Sequence, residues 1–457
     1  MYDLLIRNAI LITPDGQQEK DLAIRDGKIA ALVRRGGGMA RLEIDAGGHY
    51  AFPGIIDTHA HLNEPGWTWR EDYACGTAAA AVGGITTVID MPLQNDPSTV
   101  TAKDVEQKIA LAGPQACVDF CLWGGCVPGN FDELEKMDKS GCVAFKSFLS
   151  PTSPDFENLS YGQAYEAMQR IRKFNGRIGF HCEDYSMIAH LEQVMKRAGR
   201  LDGRGFLDSR PVAVEMIATE AVIAMAKATG CAVHICHVSS PDVAQKVRDA
   251  QMQGVDITAE TCAHYLCMTE ADLLEKGAIC KCAPPLRTEE ERVRLWEYVK
   301  NGTFSGIASD HSPCTWEEKY KENMGKRVES IFDAWGGISG IQTVLQAVFS
   351  EGCGQGRVTP EQLAETMSRR PAQAFGLWGT KGALAEGFDA DVVLLDPHRA
   401  WEITPDSLYY KNKISGFIGK KGVGMPVMTI LRGQIIAQDG KWTGRRGIGK
   451  ILRKGSM

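Results

Sequence analysis

From Ala51 onward the chain carries eight short runs rich in apolar and β-branched residues: AFPGIIDTH, GITTVIDMP, ACVDFCLW, CVAFKSFLS, RIGFHCE, CAVHICHV, VDITAET and GIASDH. Longer stretches of helical character separate them. Strands joined through helices run parallel, and eight such units suit closure of the sheet into a barrel. The expected fold is α/β, a TIM-like (β/α)8 barrel. At 457 residues the chain is longer than one hydrophobic core commonly serves, so a smaller second unit is expected. Both ends supply strand-like segments, and LLIRNAILITPDG near the start echoes TILRGQIIAQDG near the end, each closing on an Asp-Gly turn. The chain therefore reads as residues 1–50, the N-terminal part of a composite β-sandwich domain; 51–380, the barrel; and 381–457, the C-terminal part of the β-domain with a tail.

Composition narrows the partners. Hydrophobic residues make up 44% and charged residues 24%, an ordinary globular balance. A formal net charge of -6, with no basic run, gives no general attraction to nucleic acid or anionic membrane and favours a small-molecule partner. The most apolar region, AAAAVGGITTVIDM, is broken by glycines and threonines and falls short of the roughly 18 apolar residues of a spanning helix. MYDLLIRNAILITPDG lacks the basic flank, apolar centre and cleavage site of a signal peptide, so a cytoplasmic protein is expected. Fourteen scattered cysteines, most in apolar segments as with Cys117, Cys121, Cys126 and Cys142, read as reduced, buried thiols.

Chemistry concentrates at the ends of the runs. In Asp57-Thr58-His59-Ala60-His61 the strand alternation points His59 and His61 the same way, and two imidazoles on one face are half a metal site. Three other runs also present a ligand type at or near their ends: His181 in GFHCED, His237 in HICHVSS and Asp310 in ASDHSP. Each alone reads as a hydrogen-bonded core residue; together they fall at the rim where barrel enzymes build active sites. Lys146 in AFKSFLS places an ammonium inside an apolar strand, which is costly without compensation.

These motifs resemble the cyclic amidohydrolases of the amidohydrolase superfamily, a group that includes allantoinase, dihydropyrimidinase, hydantoinase and dihydroorotase. The resemblance extends from DTHAH to GALAEGFDADVVLLD and TILRGQII. It implies that Lys146 is carbamylated and bridges two divalent metal ions, one held by His59, His61 and Asp310, the other by His181 and His237. A hydroxide between the metals would be the nucleophile and Asp310 the proton shuttle. Zinc is the metal the group implies, although manganese, cobalt, nickel or iron suits the same ligands. A homotetramer is implied as well.

Subgroup features favour one branch. Asn63 stands where dihydroorotases carry a carboxylate-gripping arginine, and KSFLSPTSP lacks the tyrosine that dihydropyrimidinases and hydantoinases place after the lysine. HAHLNEPG, MPLQNDPST, FHCED, CHVSSP, SDHSPC and AWGGISG resemble the allantoinases, which implies ring-opening of allantoin to allantoate in purine catabolism. Against that pattern, Trp67 replaces a common arginine, Arg70 a common tryptophan, Gln94 an asparagine and Ala283 a serine. Asn63, Asn95, Ala283 and Gly337 are expected at the substrate, with Trp67 and Trp335 capping the ring or packing. His264, His311, Cys280 and Cys282 are left outside the site. The alternatives are a hydantoinase-like or dihydropyrimidinase-like hydrolase of cyclic imides or ureides, and a scaffold homologue without catalysis.

Overall fold

The computed structural model describes residues 1–13, 15–152 and 155–455. The eight runs form one sheet of eight strands in sequence order: Ile55–Ala60, Ile85–Asp90, Asp119–Gly125, Cys142–Phe148, Arg177–His181, Ala232–Ile235, Ile257–Cys262 and Gly306–Ala308. Every neighbouring pair is parallel. Strands covered on both faces read as continuous apolar runs, and all six residues of Ile85–Asp90 are buried. The first strand meets the eighth through hydrogen bonds. The Ser309 N–H donates to the Asp57 carboxylate at 2.9 Å, and the His61 N–H donates to the His311 carbonyl at 2.8 Å. The expected barrel is thereby closed.

The run AAAAVGGITTVIDM divides at its glycines. Asp72 caps the helix Tyr73–Val82 by accepting the Cys75 N–H, and every residue of that helix except Cys75 is buried. Its alanines allow close approach because the helix lies between the second barrel strand and strands of the β-domain. Gly83 ends it where a Cβ would come 2.5 Å from the Gln342 carbonyl. No helix among the described residues is long and apolar enough to cross a membrane. All fourteen thiols are free, and all but Cys75 and Cys353 are buried.

The β-domain is a sandwich drawn from both ends of the chain. Tyr2–Arg7, Lys20–Arg25, Lys28–Arg34 and Ala40–Asp45 form a four-stranded sheet. In the seven-stranded sheet, Tyr50–Pro53 pairs in parallel with Ile10–Thr13 and antiparallel with Val392–Glu402. Leu4, Ile6, Leu11, Leu22, Val392 and Ile430 meet in its core. The two echoing segments differ in detail. Lys421–Leu431 and Gln434–Gln438 form a hairpin within one sheet, whereas Tyr2–Arg7 and Ile10–Thr13 lie in different sheets, the chain crossing at Asn8 with a left-handed φ of 57°. Similar alternation fixes which side chains are buried, not which strand each segment pairs with.

A buried charge cluster fastens the two domains at the N-terminal end of the barrel strands. Lys381 Nζ lies 2.6 Å from Asp119, 2.6 Å from Asp391 and 2.9 Å from Asp389. Arg432 also pairs with Asp119. Burial disfavours the ammonium, but the three carboxylates outweigh it and raise the Lys381 pKa above the usual lysine range. Lys381→Met strands carboxylates in the interior and should cost about 3–5 kcal/mol in urea unfolding. A loss below about 1 kcal/mol would show that the cluster does not join the domains energetically.

Candidate metal centre and substrate cavity

Strand alternation sets His59 and His61 side by side with ring centroids 5.5 Å apart. Barrel closure brings Asp310 from the far end of the sheet, its Oδ1 3.4 Å from His59 Nε2 and 3.5 Å from His61 Nε2. A second group meets beside the first. His181 Nδ1 lies 3.1 Å from His237 Nε2, and Lys146 Nζ lies 3.5 Å from the same nitrogen. The His59 and His237 rings, 5.3 Å apart, join the two halves. His237 and Asp310 adopt left-handed φ angles of 39° and 42°, uncommon for non-glycine residues and costing of order 1–3 kcal/mol each. All six residues predicted as metal ligands are thus brought together.

The donor set fits cations. Burial pushes the imidazoles of His59, His181 and His237 below the usual histidine range, His237 farthest because Lys146 and neighbouring rings add to the effect. Neutral imidazole is the form that ligates metal. His59 Nδ1 meets Glu260 at 2.6 Å and His181 Nε2 meets Glu183 at 2.8 Å, leaving Nε2 of His59 and Nδ1 of His181 facing the cluster. With Nε2–H of His181 given to Glu183, its Nδ1 presents a lone pair toward His237 Nε2, a contact that calls for a shared cation or proton. Lys146 is fully buried, and no carboxylate pairs with its Nζ among the described residues. An added carbamate would replace this uncompensated cation with an anion. At Asp310, burial raises the carboxyl, but His59 and His61 outweigh it and hold it at about 2.

Above these groups opens a cavity of about 300 Å³. Trp67, Phe148, Arg210, Ala283, Trp335 and Gly337 contribute to its lining. Asn63 and Asn95 do not line it. Asn63 Nδ2 instead donates to the Gln94 carbonyl at 3.0 Å, and Asn95 is buried in the neighbouring turn; the cavity-lining residue there is Gln94. Arg70 lies behind the wall, 4.5 Å from the Trp67 ring and 3.6 Å from that of Trp335, and holds Glu318 at 2.7 and 2.6 Å. The exchange of aromatic and cation at positions 67 and 70 gives the cavity an indole and keeps the guanidinium buried behind it.

A model described as the amidohydrolase family matches residues 50–436. This chain belongs to the amidohydrolase family. It is 40% identical to the allantoinase of Rubrobacter xylanophilus over 441 residues, covering 96% of this chain and 95% of that protein. It is 36% identical to the allantoinase of Bacillus licheniformis over 460 residues, covering 99% of each. The solved L-hydantoinase (dihydropyrimidinase) from Arthrobacter aurescens superposes with a TM-score of 0.95 at 34% identity, over 99% of this chain and 100% of that one.

Sequence reasoning passed over the carboxylates that orient the histidines of this amidohydrolase. Glu260, on the seventh barrel strand, accepts from the Thr58 hydroxyl, meets His59 Nδ1 and lies 3.3 Å from His234 Nε2. Burial raises its carboxyl, but His234 and His59 prevail and keep it well below the usual carboxylate range. Its signal was present: a glutamate inside VDITAET is as anomalous as a lysine inside AFKSFLS. Glu183, two residues after His181, was visible only as part of a motif. His264 is buried, and burial pushes it down to about 4. His311 Nδ1 accepts the Gly340 N–H. Glu260→Gln, which keeps the shape but frees the His59 tautomer, should weaken metal retention against a chelator by roughly 10- to 100-fold. Parent-like retention would refute an orienting role for Glu260.

Proposed function

We propose that this amidohydrolase opens cyclic amides by hydrolysis and that its reaction is allantoin to allantoate. The observation that carries the reading is the convergence of His59, His61, Lys146, His181, His237 and Asp310 beneath one cavity. The two allantoinases, matched over nearly their whole length, support the substrate. His59, His61 and Asp310 would hold one divalent ion, His181 and His237 the other, with carbamylated Lys146 between them and zinc the preferred metal. When bound, the ions supply Lewis acidity that activates water and polarises the scissile carbonyl.

The protein's own groups do the remainder. Asp310, ionised at neutral pH, takes a proton from the attacking water and delivers it to the departing ring nitrogen. Glu260 and Glu183 fix which imidazole nitrogens face the centre. Trp67 and Trp335 flank the substrate, Ala283 offers its main chain to the ring amide, and Gly337, its N–H and carbonyl held by Lys281 and Lys319, forms the wall beside it. Asn63 acts at one remove by holding the Gln94 carbonyl, and Asn95 by bonding Thr99 in the turn that follows. The reading includes a homotetramer, carried from the group resemblance.

A hydantoinase-like reading is favoured by one feature, the indole of Trp67 on the cavity wall, which suits rings with apolar substituents. The complete ligand set argues against a scaffold. Metal content per chain, measured with turnover of racemic allantoin, hydantoin and dihydrouracil, tests all three. Two metals with allantoin opened supports the proposal; two metals with only the other rings opened moves the substrate; no metal after incubation with bicarbonate and divalent ions refutes the hydrolase. Lys146→Ala should lose metal and turnover and regain part of both with short carboxylic acids, and full activity without rescue would contradict the bridging anion. Asp310→Asn should abolish turnover while retaining part of the metal. Unchanged turnover would exclude it as the shuttle.

A further inference from the structure

Two buried lysines that the mechanism leaves unused stand behind the cavity wall. Lys281 immediately precedes the cavity-lining Cys282 and Ala283, and Lys319 belongs to the short helix Trp316–Tyr320. They are 7% and 1% exposed, and neither ammonium has a carboxylate oxygen within 4.0 Å among the described residues. Their protons go to peptide carbonyls of a single segment. Lys281 Nζ donates to Phe332 O at 3.1 Å and Ala334 O at 2.6 Å. Lys319 Nζ donates to Trp335 O at 2.9 Å and Gly337 O at 2.7 Å. The same segment is held from its amide side, with Gly337 N–H on Lys281 O at 2.9 Å and Trp335 N–H on Glu318 O at 3.0 Å.

An ammonium buried among neutral carbonyls is costly. Burial pushes both lysines down, Lys281 to about 7. An apolar side chain of similar volume would fill the space more cheaply, so the cations must supply something packing does not. They supply orientation. A carbonyl pinned to an ammonium fixes its peptide plane, and in a trans peptide the next N–H then points the opposite way. With Trp335 O held on Lys319, the N–H of Gly336 faces away from that cation, and Trp335, Gly336 and Gly337 all line the cavity.

We propose that Lys281 and Lys319 are positioning residues: by clasping the carbonyls of Phe332, Ala334, Trp335 and Gly337 they preset the main chain and indole that receive the ring substrate. The proposal rests on the reading of this cavity as the substrate site. A glycine-containing wall left free would have to be ordered at each binding event; a clasped one is ordered during folding, so binding is favoured more than the chemical step.

The test compares Lys281→Met and Lys319→Met with the parent in metal-loaded enzyme. The expected result is a KM higher by about tenfold or more, kcat within about threefold, and unchanged metal per chain. Amide hydrogen exchange across residues 332–337 should accelerate in the same variants. Should a Met variant fail to fold, Lys319→Gln, which keeps a neutral donor at shorter reach, should show the same split in smaller measure. Parent-like KM and exchange would overturn the proposal, as would a joint fall of kcat and metal content at constant KM. A parent that does not open allantoin counts against the substrate reading alone; the comparison is then made on hydantoin or dihydrouracil. If no ring is opened, exchange decides, and unchanged exchange overturns the clasp.

Discussion

The joint between the first and eighth barrel strands is the constraint on which the rest depends. The Ser309 N–H on Asp57 and the His61 N–H on the His311 carbonyl close the sheet within a residue or two of three metal-ligand candidates. His59 and His61 come from one end of the sequence of strands and Asp310 from the other. An open sheet would leave them apart; closure sets His59 and His61 within 3.5 Å of one carboxylate oxygen. Chemistry at this rim is therefore as cooperative as the fold.

Closure also decides the electrostatics. Histidines exposed at the edge of an open sheet would titrate in their ordinary range, whereas inside the rim burial keeps three of them neutral. Glu260 and Glu183 lend direction without neutralising the centre, because each faces the outer nitrogen of its histidine. The interior is thus arranged as a receptor for positive charge and carries Lys146 as its anomaly. Elsewhere the molecule compensates buried cations differently: Lys381 by three aspartates, Lys281 and Lys319 by peptide carbonyls.

Much of this was legible in the residues. Eight apolar runs with helical spacers specified the barrel because parallel strands buried on both faces leave a distinctive pattern. His59 and His61 were legible through alternation, and Lys146 through its discord with an apolar strand. Glu260 carried the same discord, but it stands inside its strand, not beyond its end, and two strands away, across the eighth, from the histidine it holds. Asn63 and Asn95 show another limit: proximity to a motif locates a loop but not the direction of a side chain, and here Gln94 faces the cavity. The clasp of Lys281 and Lys319 had no local signature, since its acceptors are backbone atoms of a distant segment. The resemblance of the two terminal segments spoke for burial and was silent on sheet membership.

The composite β-domain has a consequence for the order in which the protein can be built. Tyr50–Pro53 lies between Ile10–Thr13 and Val392–Glu402, partners separated from one another by the entire barrel. During synthesis the N-terminal strands emerge first and present an unpaired β edge until the barrel and then Val392–Glu402 have left the ribosome, and such edges are templates for unwanted pairing. The edge of Tyr50–Pro53 is accordingly where a growing chain is most open to unwanted pairing, and the arrival of Val392–Glu402 is what closes it.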